Sequence, residues 1–157
     1  LLLDHLVAEP VSAGQDVLDV GCGYGIVGIV AAQGGAQVTL IDDDLRAVRC
    51  ASESVRLNGL DDRCAVLPGD VTEGLADRRF DLVLSNPPFH QGVDVMTATA
   101  HQIVREAYDV LKSDGRLLVV ANRFLPYDRT IADVFGAARV VAETTRFYVI
   151  EGARGRA

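Results

Sequence analysis

The sequence has 157 residues, of which 49% are hydrophobic and 24% charged, and this is typical of one globular domain with a substantial core. No apolar run approaches the roughly 20 residues that cross a bilayer, and no signal-peptide pattern opens the chain, so we expect no membrane association. The net charge of −7 argues against broad nonspecific binding to nucleic acid, although it permits a local basic patch.

The three cysteines, Cys22, Cys50 and Cys64, form neither a Cys-x-x-Cys pair nor a disulfide framework. This usage is typical of a reducing compartment and predicts a cytoplasmic protein. The chain begins at Leu1 without a methionine, so we expect residues 1–157 to be a single domain that has been trimmed at its N-terminus.

Apolar runs typical of strands alternate with segments of helical period along most of the chain. The strand-like runs are nearly continuous in apolar residues, as in a sheet buried on both faces, and they cover 16–21, 37–42, 63–70, 80–86 and 115–122. Helices are predicted between them over 44–57, with Asp44 as N-cap, and over 97–112. Two β-rich runs within 138–153 predict a C-terminal antiparallel hairpin. The alternation predicts an α/β fold with a doubly wound, mostly parallel sheet.

A glycine-rich segment follows the first predicted strand and opens a helix. Gly21, Gly23 and Gly25 form a Gly-x-Gly-x-Gly turn, and Gly23, Gly25 and Gly28 also have the spacing of a dinucleotide-binding loop. Residues without side chains let the backbone approach a ligand closely. Asp42 ends the second strand, where a carboxylate can accept hydrogen bonds from ribose hydroxyls. The segment therefore indicates either a dinucleotide or S-adenosylmethionine.

Three details favour S-adenosylmethionine. Asp19 lies inside the first strand, near the expected place of an ammonium group, and dinucleotide-binding loops usually keep that position apolar. Asp70 ends the third strand, where it can accept a hydrogen bond from an adenine amino group. The glycine loop contains no lysine or arginine, which a ligand without phosphates does not need. Asp43 can contribute its backbone to the adenine site, although a solvated acid at a helix start is an equally good interpretation.

The sequence NPPF at residues 86–89 follows the fourth predicted strand, at the ligand-binding edge of a doubly wound sheet. Pro87 and Pro88 restrict the backbone and would pre-organise a carbonyl group. The side-chain oxygen of Asn86 and that carbonyl can together accept both N–H bonds of an amine. Phe89 offers a flat face on which a base can stack. The alternative is that NPPF only stiffens the end of the strand.

These motifs resemble class I S-adenosylmethionine-dependent methyltransferases, and NPPF resembles the signature of enzymes that methylate nitrogen in a planar conjugated group. The runs NPPFHQGVD, VANRFLPYDR and TTRFYVIEGAR are similar to those of bacterial and archaeal ribosomal RNA guanine-N2 methyltransferases. The resemblance implies a Rossmann-like fold with a seven-stranded sheet and helices on both faces. It also implies direct methyl transfer to guanine N2 in ribosomal RNA or a ribosomal particle, without a metal. Bacterial members carry an additional N-terminal half, whereas some archaeal members are nearly as short as this chain. The resemblance therefore leaves open whether the whole protein has a further N-terminal domain.

The resemblance also implies a role for each predicted site residue. The residues implied to hold the cofactor are Asp19, Gly21, Gly23 and Gly25 at the methionine portion, Asp42 at the ribose, Asp43 and Asp70 at the adenine, and Asn86. The residues implied to hold the target amine are Asn86, Pro87, Pro88 and Phe89. His90 follows them and is interpreted as an exposed loop residue, with substrate contact as the alternative.

Three other functions stay open from the sequence. A glutamine-N5 or adenine-N6 methyltransferase would use the same Asn-Pro-Pro-aromatic loop, and only the resemblance of the downstream runs favours guanine. A non-catalytic RNA-docking module of the same fold would usually have lost the glycine loop or NPPF, and both are intact. A nucleotide-dependent oxidoreductase would leave NPPF without a purpose.

Overall fold

Strands and helices alternate in the computed structural model, which describes residues 1–87 and 93–155, with the backbone alone for 93–97. The strands are β1 (Asp16–Val20), β2 (Gln37–Asp42), β3 (Cys64–Pro68), β4 (Phe80–Ser85), β5 (Leu111–Asn122), β6 (Arg139–Glu143) and β7 (Phe147–Ala153). The helices are α1 (Leu2–Ala8), α2 (Ile26–Gln33), α3 (Leu45–Leu57), α4 (Val93–Val110) and α5 (Tyr127–Phe135). In the described part of the chain, no helix has the length and apolar character needed to cross a bilayer.

The strands form one seven-stranded sheet in the order β3-β2-β1-β4-β5-β7-β6. Strands β1 to β5 are parallel, and β7 is antiparallel to both β5 and β6. This confirms the predicted doubly wound sheet and its C-terminal hairpin. From β1 the chain first adds β2 and β3 on one side and then adds β4 and β5 on the other side, so the strand order reverses at β1. Doubly wound sheets bind ligands at such a point of reversal.

Both faces of the sheet are covered, because successive residues of the central strands are apolar and point to opposite sides. Leu18 and Val83 are fully buried in the cluster that contains the apolar residues of α4 and α5. Val17 and Leu82 are buried in the second cluster, which contains residues of α1, α2 and α3. The prediction of helices on both faces is therefore confirmed.

The largest difference from the predicted elements lies between α4 and β5. The predicted helix over 97–112 ends two residues early, and the strand expected from residue 115 begins at Leu111. Leu111 pairs with Phe80, the pairing is then interrupted, and it resumes where Arg116 faces Leu82. Asp114 has a φ of 64° within this interruption. The bulge separates Leu111 from the rest of the apolar run, so the sequence pattern did not show it as part of the strand.

Two helices illustrate what local sequence can predict. Asp44 caps α3 as expected, since its Oδ1 accepts a hydrogen bond from the backbone N–H of Arg46 at 2.8 Å. Helix α5 has no counterpart among the predicted elements. Its N-cap is Pro126, whose side chain makes no capping bond, so the usual start signal is missing from the sequence.

The contact between α5 and β7 generates a prediction about stability. A Cβ atom at Gly152 would lie 2.7 Å from Cγ2 of Ile131 and 2.8 Å from Cγ of Phe135. Because Ile131 is fully buried, we expect Gly152→Ala to lower the free energy of unfolding by about 1–3 kcal/mol, measured by urea denaturation. Gly155→Ala is the matched control, because a Cβ there meets nothing within 4 Å. Equal effects from the two substitutions would contradict this account of the packing.

Candidate ligand-binding site at the carboxyl ends of the strands

A cavity of about 310 Å³ lies at the carboxyl ends of the parallel strands, within the size range of small-ligand sites. Its described walls come from the ends of β1 to β4, from the segment after β3 and from α4. The lining residues are Val20, Gly21, Asp42, Asp43, Gly69, Asp70, Val71, Ser85, Pro87, Thr99, Gln102 and Ile103. Neither lysine nor arginine is among them, so the described walls offer hydrogen-bond acceptors and negative charge.

The structure brings five of the eleven predicted site residues to this cavity. Those that line it are Gly21, Asp42, Asp43, Asp70 and Pro87. Asn86 precedes Pro87 in the chain and is exposed to solvent. Pro88, Phe89 and His90 lie outside the described residues. Among the described residues, no group of three or more histidine, cysteine or acidic side chains could hold a metal ion.

The glycine loop is fixed against the end of β2. Gly21, Gly23 and Gly25 have φ values of 65°, 57° and 86°, a left-handed conformation that favours glycine. The amides of Gly21 and Cys22 donate to the carbonyl oxygen of Ile41 at 2.9 and 3.1 Å. Gly23 and Gly25 shape this loop without lining the cavity.

Asp42 joins the glycine loop to the start of α3. Its Oδ2 accepts a hydrogen bond from the amide of Gly23 at 2.8 Å, and its Oδ1 accepts one from the amide of Asp44 at 3.0 Å. Each carboxylate oxygen has a second acceptor position. Asp42 can therefore hold the loop and still accept hydrogen bonds from a ligand hydroxyl.

Asp19 lies under the loop rather than on the cavity wall. Its side chain is buried, and Oδ2 accepts a hydrogen bond from the amide of Gly28 at 2.8 Å, in the first turn of α2. The N-cap residue of α2 is Gly25, which has no side chain, so Asp19 supplies the capping group from β1. A Cβ at Gly28 would lie 2.8 Å from Cδ2 of Leu40 and 3.1 Å from Oδ2 of Asp19, which explains the glycine there. Contact of Asp19 with a ligand stays a prediction.

Burial changes the ionisation of two side chains around this loop. It raises the pKa of Asp19 to about 7, an effect opposed by the Gly28 hydrogen bond and increased by the nearby charge of Asp42. Burial also raises the pKa of the Cys22 thiol to about 12, with further contributions from Asp19 and Asp42. A thiol with so high a pKa is a poor nucleophile at neutral pH. Cys22 therefore serves packing.

Gln102 is a site residue that the sequence analysis missed. Its Nε2 donates to Oδ2 of Asp70 at 3.2 Å and to Oε1 of Glu106 at 3.0 Å. Oε2 of Glu106 in turn accepts hydrogen bonds from the amide and the hydroxyl of Thr72, at 3.1 and 2.7 Å. These bonds attach α4 to the segment after β3 and orient the carboxylate of Asp70. The pair Gln102 and Glu106, one helical turn apart, is the only sequence signal we recognise for them.

Val71 shows backbone strain between Asp70 and Thr72. Its φ of 44° is unusual for a β-branched residue, and the side chain is buried in the core. A conformation of this kind costs on the order of 1–3 kcal/mol and persists only where the surrounding packing imposes it. The strained turn places Asp70 at the cavity and Thr72 at α4. A valine gives no sequence signal for such a turn.

The glycine loop, the strand-end carboxylates and the cavity beside β1 define a doubly wound domain with a ligand site at the carboxyl edge of its sheet. The sequence matches the family described as methyltransferase small domain over residues 1–151, and the chain belongs to this family. The family resemblance predicted from the sequence is thereby confirmed.

Individual relatives are similar over nearly the whole chain. Ribosomal RNA small subunit methyltransferase C of Chromohalobacter salexigens is 40% identical over 146 residues, which are 92% of this chain and 42% of that protein. Ribosomal RNA large subunit methyltransferase G of Aliivibrio fischeri is 32% identical over 158 residues, or 98% of this chain and 41% of that protein.

Among solved structures, the T. thermophilus 16S rRNA N2 G1207 methyltransferase in complex with S-adenosylmethionine and guanosine has a TM-score of 0.86 and 31% identity. That alignment covers 98% of this chain and 42% of the T. thermophilus chain. This chain thus spans about two fifths of the length of these relatives. A further N-terminal domain stays one of the two arrangements that the resemblance allows for the whole protein.

The raised pKa of Asp19 generates a prediction about pH. The folded protein keeps this proton up to about pH 7, whereas the unfolded chain releases it near the ordinary value of 3.8. The stabilisation from this group is therefore full below about pH 4 and is lost as the pH rises through about 7. Asp19→Asn keeps an acceptor for the Gly28 amide and cannot ionise. We expect it to flatten the decrease in unfolding free energy over this range, measured by urea denaturation.

The control for this prediction is Asp77→Asn, at an exposed position away from the loop. It removes one carboxyl group outside the loop, and the slope of unfolding free energy against pH for Asp19→Asn is compared with the slope for this variant. If Asp19→Asn left the wild-type slope unchanged, the protonated state of Asp19 in the folded protein would be disproved.

Proposed function

We propose that this domain transfers a methyl group from S-adenosylmethionine to the exocyclic N2 of a guanine in ribosomal RNA. The observation that carries the proposal is the cavity at β1, where the strand order of the sheet reverses. The strand-end carboxylates of Asp42 and Asp70 lie in its wall, and so does Pro87 of the NPPF motif. The relatives support it, since they are named as ribosomal RNA methyltransferases and one was solved with this cofactor and guanosine.

The described residues of the cavity fit this cofactor. S-adenosylmethionine has hydrogen-bond donors on its ribose and adenine and positive charge on its sulfonium and ammonium groups. Asp42 would accept from the ribose hydroxyls, and Asp70, held by Gln102, would accept from the adenine amino group. The glycine loop from Gly21 would lie along the methionine portion. The lack of lysine and arginine in the described walls suits a ligand without phosphates.

Asn86 and the carbonyl that follows it would act on the acceptor nitrogen. The lone pair of a guanine amino group is delocalised into the ring, which makes this nitrogen a poor nucleophile. Acceptors for both N–H bonds favour a more tetrahedral nitrogen, whose lone pair then points at the methyl group. The cofactor supplies an electrophilic methyl on a positively charged leaving group. The nitrogen bonds to this methyl as the sulfur–carbon bond breaks, and it then loses a proton to solvent.

A ribosomal RNA substrate agrees with the cytoplasmic location predicted from the cysteines. All three cysteines are free in the structure, and Cys22 is buried. The location stays a prediction of the sequence and part of this proposal.

Cofactor binding is the first test of the proposal. We expect S-adenosylmethionine to bind the chain in isothermal titration calorimetry and NAD not to bind. Asp70→Ala should weaken binding by about 1–3 kcal/mol, because the adenine amino group loses its acceptor. Gln102→Ala should weaken it less, since Asp70 then remains but is less well oriented. Asp77→Ala is the matched control for loss of an acidic side chain. NAD binding tighter than S-adenosylmethionine would disprove the proposal.

A second test separates binding from chemistry. Asn86→Ala should lower the rate of tritiated-methyl transfer by about 100-fold or more, because it removes a contact to the reacting nitrogen. Cofactor affinity should fall much less than the rate, since Asp42 and Asp70 still hold the cofactor. The matched control is Asn58→Ala, at the end of α3 and outside the cavity.

The product of this reaction identifies the acceptor. Digestion of labelled ribosomal RNA should yield N2-methylguanosine, with naked RNA and ribosomal subunits compared as substrates. N6-methyladenosine, or label in protein glutamine, would reject the guanine acceptor. Full activity of Asn86→Ala would reject the proposed role of the NPPF motif.

A further inference from the structure

A large aromatic side chain is exposed to solvent in a hydrogen-bonded turn after β5. Phe124 is 63% exposed, whereas the next residue, Leu125, is only 3% exposed. The amide of Leu125 donates to the carbonyl oxygen of Asn122 at 2.9 Å, and the hydroxyl of Tyr148 donates to the carbonyl oxygen of Leu125 at 3.0 Å. The turn therefore buries one apolar side chain and presents its neighbour outward. Single exposed apolar residues are common on protein surfaces, so the surroundings of Phe124 decide whether it forms part of a binding site.

The turn lies at the same edge of the sheet as Asn86. Strands β4 and β5 are parallel, and Ser85, the last residue of β4, is paired with Val119. Strand β5 continues for three more residues to Asn122. At about 3.3 Å per residue this extends β5 about 10 Å beyond β4. The turn that carries Phe124 thus lies beyond the end of β4, at the carboxyl edge of the parallel strands, which is also the edge that carries the cavity.

Arginine side chains accompany Phe124 at this edge. The amide of Arg123 donates to the carbonyl oxygen of Arg146 at 3.0 Å, which joins the turn after β5 to the turn between β6 and β7. The guanidinium of Arg123 is paired with Glu143 at 2.6 Å. Arg146 is exposed, and its side chain forms no ion pair with the described residues. The acids Asp128 and Glu143 line one surface pocket with Arg123, whereas the guanidinium of Arg146 remains available to an anionic partner.

An exposed aromatic ring and an exposed guanidinium on two turns joined by a backbone hydrogen bond match an unpaired nucleotide. The ring stacks on a base, the guanidinium attracts the adjoining phosphate, and bases in a duplex do not offer a free face. We propose that Phe124 and Arg146 form a docking platform for an unpaired RNA nucleotide next to the target guanine. This inference rests on the proposed function, because it takes RNA as the substrate.

The platform can be tested by RNA binding without methyl transfer. The probe is a single-stranded oligoribonucleotide of about ten nucleotides that contains 2-aminopurine, whose fluorescence changes on stacking. Phe124→Leu should weaken binding about 5- to 150-fold, whereas Phe124→Tyr should bind within about twofold of the wild type. Arg146→Ala should weaken binding and lower the slope of log affinity against log salt concentration by about 0.7.

Two exposed residues on α3 provide matched controls. Leu57→Ala removes an apolar side chain that is 70% exposed, and Arg49→Ala removes an exposed arginine. Neither should change oligonucleotide binding. The same oligonucleotide in a duplex should bind more weakly than the single strand.

Several outcomes separate this inference from the proposed function. If the wild type methylates RNA but Phe124→Leu binds the oligonucleotide as well as the wild type, the platform is disproved and the proposed function stands. If Phe124→Leu weakens binding but no methyl transfer to RNA occurs, the platform stands and the proposed function fails. If Phe124→Leu changes only self-association in sedimentation, the surface contacts protein and the platform is disproved.

Discussion

The site depends on how two carboxylates hold the glycine loop. Asp42 binds the amide of Gly23 and Asp19 binds the amide of Gly28, each at 2.8 Å. The two acids come from neighbouring strands, and the loop lies between the end of β1 and the start of α2. The order of the strands in the sheet therefore fixes the path of the loop. Because the loop carries no side chains at its glycines, its backbone can lie along a ligand while the amides of Gly21, Gly23 and Gly25 are already hydrogen-bonded within the protein.

This arrangement has an electrostatic consequence for the ligand. Asp42, Asp43 and Asp70 are all on the cavity wall, and the buried Asp19 lies just beneath the loop. Burial favours the neutral form of Asp19, which limits the repulsion between it and Asp42. The result is a cavity rich in acceptors, which favours a ligand with donors and positive charge and disfavours one with phosphates.

Helix α4 connects the two halves of the site. It follows the NPPF segment in the chain, and its residues Gln102 and Glu106 bind Asp70 and Thr72 on the opposite side of the cavity. A displacement of α4 would therefore move the wall that carries Asp70. Because Thr99, Gln102 and Ile103 of α4 line the same cavity as Pro87, the helix borders both the proposed cofactor portion and the proposed acceptor portion of the site.

The sequence by itself determined the parallel sheet, its C-terminal hairpin, the glycine loop and the acids at the strand ends. These features follow from local patterns: apolar runs show buried strands, glycines show left-handed turns, and a residue that ends a parallel strand must lie at the carboxyl edge. Only the tertiary structure decided that Asp19 caps α2, that β5 begins at Leu111 and that Val71 takes a strained turn. It also decided the bond between Gln102 and Asp70, which are 32 residues apart. Such features arise from contacts between distant segments, and no local pattern in the chain encodes them.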